Sequence, residues 1–230
     1  MRLEPYTRNK QTSHMRTKSL LLAAAVGLAG ALSASAQITN VYSVNAVGYI
    51  QLTIPIGFSM IANQLISTNN TIDRMFPAPP DGTQVFAWNG TGFDTYEFLG
   101  FLGVWSPNGS LPFNPGGGAF INNKGTTNII ATIVGDVPQG TNSNVIIPSN
   151  FSIGSSTVPV AGNLIAAMGF PSNDGDQVFK WNGSSYDTYE YLGFLSAWSP
   201  SEPLVKVGES FFIKKTTINT PWNRNFTANN

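Results

Sequence analysis

The 230-residue chain has no cysteine, and its single histidine, His14, lies in the first fifteen residues. Without histidine or cysteine past that point, Ser-His-Asp and Cys-His nucleophilic catalysis and the usual zinc ligand sets have no residues to work with. Disulfides are excluded too, so stability has to come from packing alone. Charge is equally sparse: Asp, Glu, Lys and Arg make up 10% of the chain, against about 25% in an average soluble domain. The formal net charge of zero conceals an uneven split, because five of the twelve basic residues precede position 19. From Gln37 onward seven basic residues face eleven acidic ones, a net charge of −4. No basic stripe is left for nucleic acid, and an anionic partner is not expected.

The early basic residues belong to an export signal. Met15-Arg-Thr-Lys-Ser is a basic n-region, Leu20 to Leu32 is an apolar h-region, and Ala34-Ser35-Ala36 is a small-x-small cleavage motif. The apolar run is short for a membrane span of about 20 residues. Residues 1–36 therefore read as a presequence: Met15 is the expected true start, which makes residues 1–14 an extension, and the alternative is that residues 1–14 are a long n-region. No later apolar run, anchor or sorting tail is apparent, so the expectation is an exported protein of the periplasm, cell surface or extracellular space, with no transmembrane anchor in the mature chain.

What the chain does have is itself, twice. "QVFAWNGTGFDTYEFLGFLGVWSP" (Gln84 to Pro107) returns 93 positions later as "QVFKWNGSSYDTYEYLGFLSAWSP" (Gln177 to Pro200), and "IPIGFSM" (Ile54 to Met60) returns as "IPSNFSI" (Ile147 to Ile153). After a drift of one residue, "PGGGAFINN" (Pro115 to Asn123) falls on "VGESFFIKK" (Val207 to Lys215). The organisation is thus a presequence (1–36), an unmatched segment (37–47), and two repeats (48–140 and 141–230). The segment 37–47 is expected to add a strand to its own fold rather than to a neighbouring chain.

Short β-branched and aromatic runs with two-residue alternation fill each repeat. Trp-Asn-Gly plus two or three small residues reads as a hairpin turn. A single helical turn is expected behind Asn70 and Asn163, each as its cap. The fold class is all-β: two tandem β-sandwich or small-barrel repeats, either closely packed or merged into one pseudo-symmetric body. Comparing the copies, Ala87 becomes Lys180, which suggests a solvent-facing position and puts Phe86 and Trp88, with Phe179 and Trp181, in the core.

Candidate chemistry is thin. Asp94 and Glu97 are an odd number of positions apart and so project from opposite faces of a regular strand. Asp94 and Asp187 read as turn acceptors for backbone N–H groups. No cofactor is called for; calcium, through Asp81, Asp174 and Asp176 in turns, is the one metal the residues allow. The glycines of "NPGGGAF" (Asn114 to Phe120) form a tight turn, since the lysine and helix of a phosphate loop are missing. The best ligand-binding candidates are Trp105 and Trp198, each ahead of Ser-Pro where a half-exposed ring could stack on a sugar, with Glu97 and Glu190 as weaker seconds.

A signal peptide followed by "VYSVNAVGY" (Val41 to Tyr49), then "IPIGFSMIANQL", "DGTQVFAWNG", "GVWSP" and "GDVPQG", resembles a group of uncharacterised exported proteins of Verrucomicrobia and related bacteria. The resemblance implies a bacterial exported protein of duplicated β architecture and brings no functional residue with it. The leading expectation is a non-catalytic structural or adhesive protein of the cell envelope or extracellular matrix, acting by self-assembly or attachment. The alternative is a carbohydrate-binding module using Trp105 and Trp198. A carboxylate-dependent glycoside hydrolase comes third.

Overall fold

The computed structural model describes residues 46–228; the signal peptide and all but the last two residues of the segment 37–47 lie outside them. The described chain is all-β, built on two five-stranded antiparallel sheets of identical plan. In the first, β2 (Gly57–Ala62), β6 (Gly118–Asn123), β3 (Gln84–Trp88), β4 (Phe93–Leu99) and β5 (Val104–Ser106) lie in that order. In the second, β9 (Asn150–Gly154), β15 (Phe211–Lys215), β11 (Gln177–Trp181), β12 (Tyr186–Leu192) and β13 (Ala197–Ser199) follow the same order. Register matches as well: Gln84 faces Glu97 and Trp88 faces Phe93, while Gln177 faces Glu190 and Trp181 faces Tyr186.

Each sheet is covered on one face by a two-stranded ribbon. The first ribbon pairs β1 (Val47–Ile54) with β7 (Ile129–Asp136) along eight residues, and the second pairs β8 (Val145–Ile147) with β16 (Thr220–Trp222) along three. The alternation in β1 explains its placement: Ile50, Leu52 and Ile54 are buried, while Val47, Tyr49, Gln51 and Thr53 are exposed. Under the first ribbon lies a core that includes Leu52, Ile61, Val85, Phe98, Trp105 and Ile121. Under the second lies its counterpart, with Ile147, Val178, Trp198, Phe211, Ile213 and Trp222. Both halves are thus small sandwiches of five strands against two. No described helix is long and apolar enough to cross a membrane.

Among the described residues the two sandwiches form one body. Ala62 N donates to Gly208 O at 2.8 Å, and its repeat partner Ser155 N donates to Gly116 O at 2.9 Å. The edge strands β2 and β9 thereby each reach the segment that precedes the other half's β15 or β6. Gly208 and Gly116 both have positive φ, of 75° and 87°, and a Cβ on Gly208 would stand 2.1 Å from Leu52 Cδ2, so no other residue fits that crossing without strain. The connection at Val137 to Asn142 is pinned rather than loose, since Gly140 N donates to Phe226 O at 2.8 Å.

Three expectations are corrected. The buried hairpin residue is Val85, 1% exposed, and not Phe86 or Trp88, which lie on the opposite face of the sheet and are half-buried. Lys180 is not directed into open solvent: its side chain is mostly buried, paired with Glu209 at 3.2 Å and donating to Leu204 O. A lysine is accepted where Ala87 stood because it finds a carboxylate and a carbonyl there. Finally, the helical turn α1 (Ile72–Met75) is preceded by Thr71, which makes no side-chain cap, while Asn70 Oδ1 accepts from Ser67 N instead. In the second copy Asn163 belongs to the short strand β10 (Gly162–Asn163), and Glu202 Oε1 receives the N–H groups of Ile165 and Ala166.

The two cores also differ in one charged pair. Asp176 and Lys215 are both buried and ion-paired, with Asp176 also accepting from Asn173 N at 2.7 Å and Thr216 N at 2.8 Å. In the first copy these positions are Thr83 and Asn123, both buried and neutral. Asp176→Asn should cost about 3–5 kcal/mol by leaving the lysine buried without its counter-charge. The double change Asp176→Thr with Lys215→Asn, which copies the neutral pair, should recover most of that in urea denaturation.

Candidate functional site

Trp105 and Trp198, the sequence-based candidates, are not available to a ligand. Trp105 is 4% exposed, stands edge-on to Phe98 at 5.6 Å, and donates its Nε1–H to Phe76 O at 3.1 Å. Trp198 is 6% exposed between Phe170 and Tyr191, and among the described residues its Nε1–H meets no acceptor. Both rings close a sandwich core, because β5 and β13 turn their central residue inward beneath the covered face. The Ser-Pro bonds that follow are cis in both copies.

A second set of aromatics, ranging from the buried Phe120 to the partly exposed Phe58 and Phe93, lies on the uncovered faces of the two sheets. From β3 come Phe86 and Trp88, from β4 Phe93, from β6 Phe120 and from β2 Phe58, all aimed away from the ribbon by strand alternation. The second half supplies Phe179, Trp181, Tyr186, Phe212 and Phe151 at the equivalent positions. Their contacts repeat about a local two-fold. Phe58 to Phe86 and Phe151 to Phe179 are both 5.8 Å between ring centroids, and Trp88 to Phe93 and Trp181 to Tyr186 are both 5.2 Å. Phe120 and Phe212 meet at 6.2 Å where the halves join.

Each tryptophan crosses to the other half. Trp88 Nε1 donates to Phe151 O and Trp181 Nε1 to Phe58 O, both at 3.0 Å. Trp88 stands edge-on to Phe212 at 5.6 Å and Trp181 to Phe120 at 5.7 Å. The result is two grooves, each floored by one sheet and walled by the other half's tryptophan. The first, about 330 Å³, is lined by Phe58, Phe86, Phe93, Phe120, Trp181 and Tyr186. The second, about 310 Å³, is lined by Trp88, Phe151, Phe179, Tyr186 and Phe212. Phe58, Phe93, Phe151 and Tyr186 are 41–43% exposed, so both grooves present open ring to solvent.

The glutamates share this face. Glu97 accepts from Gln84 Nε2 at 2.9 Å and Glu190 from Gln177 Nε2 at 3.2 Å, and by register each pair continues the row of Phe86 or Phe179. In both bonds the partner is an amide, so each pair offers hydrogen-bonding groups at the end of an aromatic row. Asp94 lies on the opposite face from Glu97, as its spacing requires, but it does not accept backbone N–H groups. Asn89 does so, taking Thr91 N at 3.1 Å and Gly92 N at 2.9 Å, and Asp94 Oδ1 holds the Asn89 amide at 2.9 Å. Asn182 and Asp187 repeat this at 2.9 Å. The asparagine wins the turn because it sits at the turn's first position, where its carbonyl reaches the N–H groups two and three residues on.

The carboxylates suggested for calcium have other work. Asp81 Oδ1 accepts from Gly100 N and Asp174 Oδ1 from Gly193 N, while Asp176 faces Lys215. Among the described residues no three acidic, histidine or cysteine side chains converge as a metal site. Comparison with protein-family models, with characterised proteins and with solved structures finds no match.

The aromatic grooves escaped the sequence reading, although a signal was present. β3 and β4 carry apolar side chains on both faces, Val85 against Phe86 and Trp88, Phe98 against Phe93. A two-stranded lid can cover only one of them. Burial within the aromatic cluster pushes the Tyr186 phenol above its ordinary value, so folded protein resists its ionisation and that stabilisation is lost as pH rises past about 10. Tyr186→Phe, the residue type of the other half, should match wild type in melting at neutral pH. Above about pH 10 it should melt above wild type, because it has no phenol to ionise.

Proposed function

We propose that the protein is a non-catalytic, exported component of the cell envelope or extracellular matrix that works by binding through its paired aromatic grooves. The observation that carries this reading is the two-fold array of half-exposed rings. Both copies keep it, at ring spacings within about 0.1 Å for the equivalent pairs quoted above; packing across the join accounts for the inner rings, and Phe58, Phe93, Phe151 and Tyr186 still leave about two-fifths of their surface open. A surface of this kind gains free energy by losing water, whether to another protein surface or to the apolar face of a ligand. Assembly and adhesion need only that.

A second reading keeps the same face and changes the occupant. The Gln84–Glu97 and Gln177–Glu190 pairs lie at the ends of the aromatic rows, so a neutral polysaccharide could stack on the rings and exchange hydrogen bonds with the amides. The carbohydrate alternative thus moves from Trp105 and Trp198 to Trp88, Trp181 and their neighbours.

The common test is Phe58→Ser with Phe151→Ser, two partly exposed rings whose loss leaves the carbonyls that receive the tryptophans in place. Wild type should gain mass with concentration in sedimentation velocity or be slowed in gels containing neutral polysaccharide. The double variant should keep its melting temperature within a few degrees and lose either effect at least tenfold. A folded variant that behaves as wild type in both assays overturns the reading.

A further inference from the structure

Each half also carries an apolar surface that no other part of the fold uses. The turn between β4 and β5 presents Phe101, 97% exposed, and Leu102, 61% exposed; the turn between β12 and β13 presents Phe194 and Leu195, 82% and 59% exposed. Leu-Gly-Phe-Leu is identical in the two copies (Leu99 to Leu102, Leu192 to Leu195), while the next two residues change from Gly103-Val104 to Ser196-Ala197. Full exposure normally releases a large apolar residue to drift, so its retention in both copies calls for a use.

The turns are also held rigid. Asp81 Oδ1 receives Gly100 N and Asp174 Oδ1 receives Gly193 N at 2.6 Å. Leu102 N and Leu195 N donate back to Leu99 O and Leu192 O at 3.0 and 3.1 Å, and Gly82 N and Gly175 N brace Phe98 O and Tyr191 O, each at 2.9 Å. A Cβ on Gly100 or Gly193 would stand 2.8 Å from the Cβ of that aspartate, so the glycines let the turn sit tightly on its brace. A pre-ordered knob loses little conformational freedom on docking.

Resting on the proposed role of the aromatic face, we propose that the Phe-Leu turns are knobs that seat in the aromatic grooves of a second copy of this chain. Knobs and grooves match in number, two of each, and in chemistry. Each groove is lined by aromatic side chains alone, and neither knob has a lysine or arginine between residues 93 and 113 or between 186 and 205. The Leu-Gly-Phe-Leu turn is itself apolar and stands on an acidic brace, Asp81 or Asp174, so it suits an aromatic groove and gives no pull toward an anionic surface. The grooves are at the small end of ligand-sized cavities, room for one or two side chains.

Area then sets the form of the assembly. One Phe-Leu knob and the groove it fills would remove on the order of 600 Å² from water, counting both surfaces. A stable interface needs about 1,200 Å², so a single seating is transient and a reciprocal exchange between two chains reaches the threshold. Knob and groove are different surfaces, and a pair joined in this way still has one of each free on either chain. The contact therefore propagates into chains of molecules.

Sedimentation velocity on the purified protein should show mass rising past the dimer with concentration. Phe101→Ser or Phe194→Ser alone should stop at dimers, and the double variant should stay monomeric with an unchanged melting temperature, since both rings lie outside the core. Because the chain has no cysteine, mixing Leu102→Cys with Thr95→Cys or Thr188→Cys, exposed positions beside the knob and groove rings that leave Phe101, Phe58 and Phe151 in place, under mild oxidant reads the contact directly. One of these mixtures should give a disulfide-linked dimer at least tenfold above a Thr132→Cys control on the exposed face of β7. The inference is overturned if the knob double variant assembles as wild type does, if no mixture exceeds the control, or if wild type is monomeric throughout. It is overturned too if the knobs are needed only for binding phosphatidylcholine vesicles. Assembly lost in Phe58→Ser with Phe151→Ser but kept in the knob variant would leave the aromatic face as the working surface and remove only its occupant.

Discussion

The structure depends on two tryptophan N–H groups that are satisfied by the other half of the molecule. β2 and β9 are edge strands, and an edge strand carries carbonyls with no strand partner. Trp181 supplies a donor to Phe58 O on one edge, and Trp88 supplies a donor to Phe151 O on the other. Each bond places an indole over the opposite sheet, where it meets Phe120 or Phe212 edge-on. The aromatic grooves are a by-product of that exchange: without the crossing, each sheet would expose a flat row of rings and no wall.

The same exchange explains why the halves make one body instead of two beads on a linker. Backbone bonds from Ala62 and Ser155, the tryptophan crossings and the Phe120–Phe212 contact all obey one local two-fold. The join departs from that symmetry at one buried side chain, Gln64, whose Oε1 accepts from Gly208 N at 2.9 Å while the equivalent Gly116 N donates to Asn63 O in its own half. The second core has an ion pair where the first has Thr83 and Asn123, and its short ribbon is completed by Trp222, whose Nε1–H reaches Met168 O at 2.8 Å. The long first ribbon, β1 with β7, needs no such plug. The tryptophan crossings and the edge-strand bonds are shared by the two halves, while the charge and the ribbon of each sandwich have diverged.

Function, on this view, belongs to what the fold leaves open. The covered cores take up the residues that first looked like a sugar platform, Trp105 and Trp198. The aspartates that looked like turn acceptors or metal ligands brace a turn or steady an asparagine. What remains is apolar and convex at the Phe-Leu turns, apolar and concave at the grooves, and hydrogen-bonding at the Gln–Glu pairs between them and the sheet ends. None of these three features needs histidine, cysteine or a charged cluster, which is why so sparse a composition is compatible with a binding protein.

Much of the architecture was legible locally. Strand positions, the Trp-Asn-Gly hairpins and the doubling of the fold all follow from neighbouring residues and from comparing one copy with the other. The facing of β3 was misjudged because Ala87 against Lys180 suggested solvent, whereas Glu209 and the Leu204 carbonyl, contributed by another part of the chain, make a lysine acceptable there. By itself the sequence determined that β3 and β11 would carry apolar side chains on both faces, and that the chain past His14 would have no histidine or thiol chemistry. Tertiary structure alone decided which face became core, because that choice rests on where the β1–β7 and β8–β16 ribbons lie, and ribbon placement is set by pairing between distant segments rather than by any periodicity within a strand.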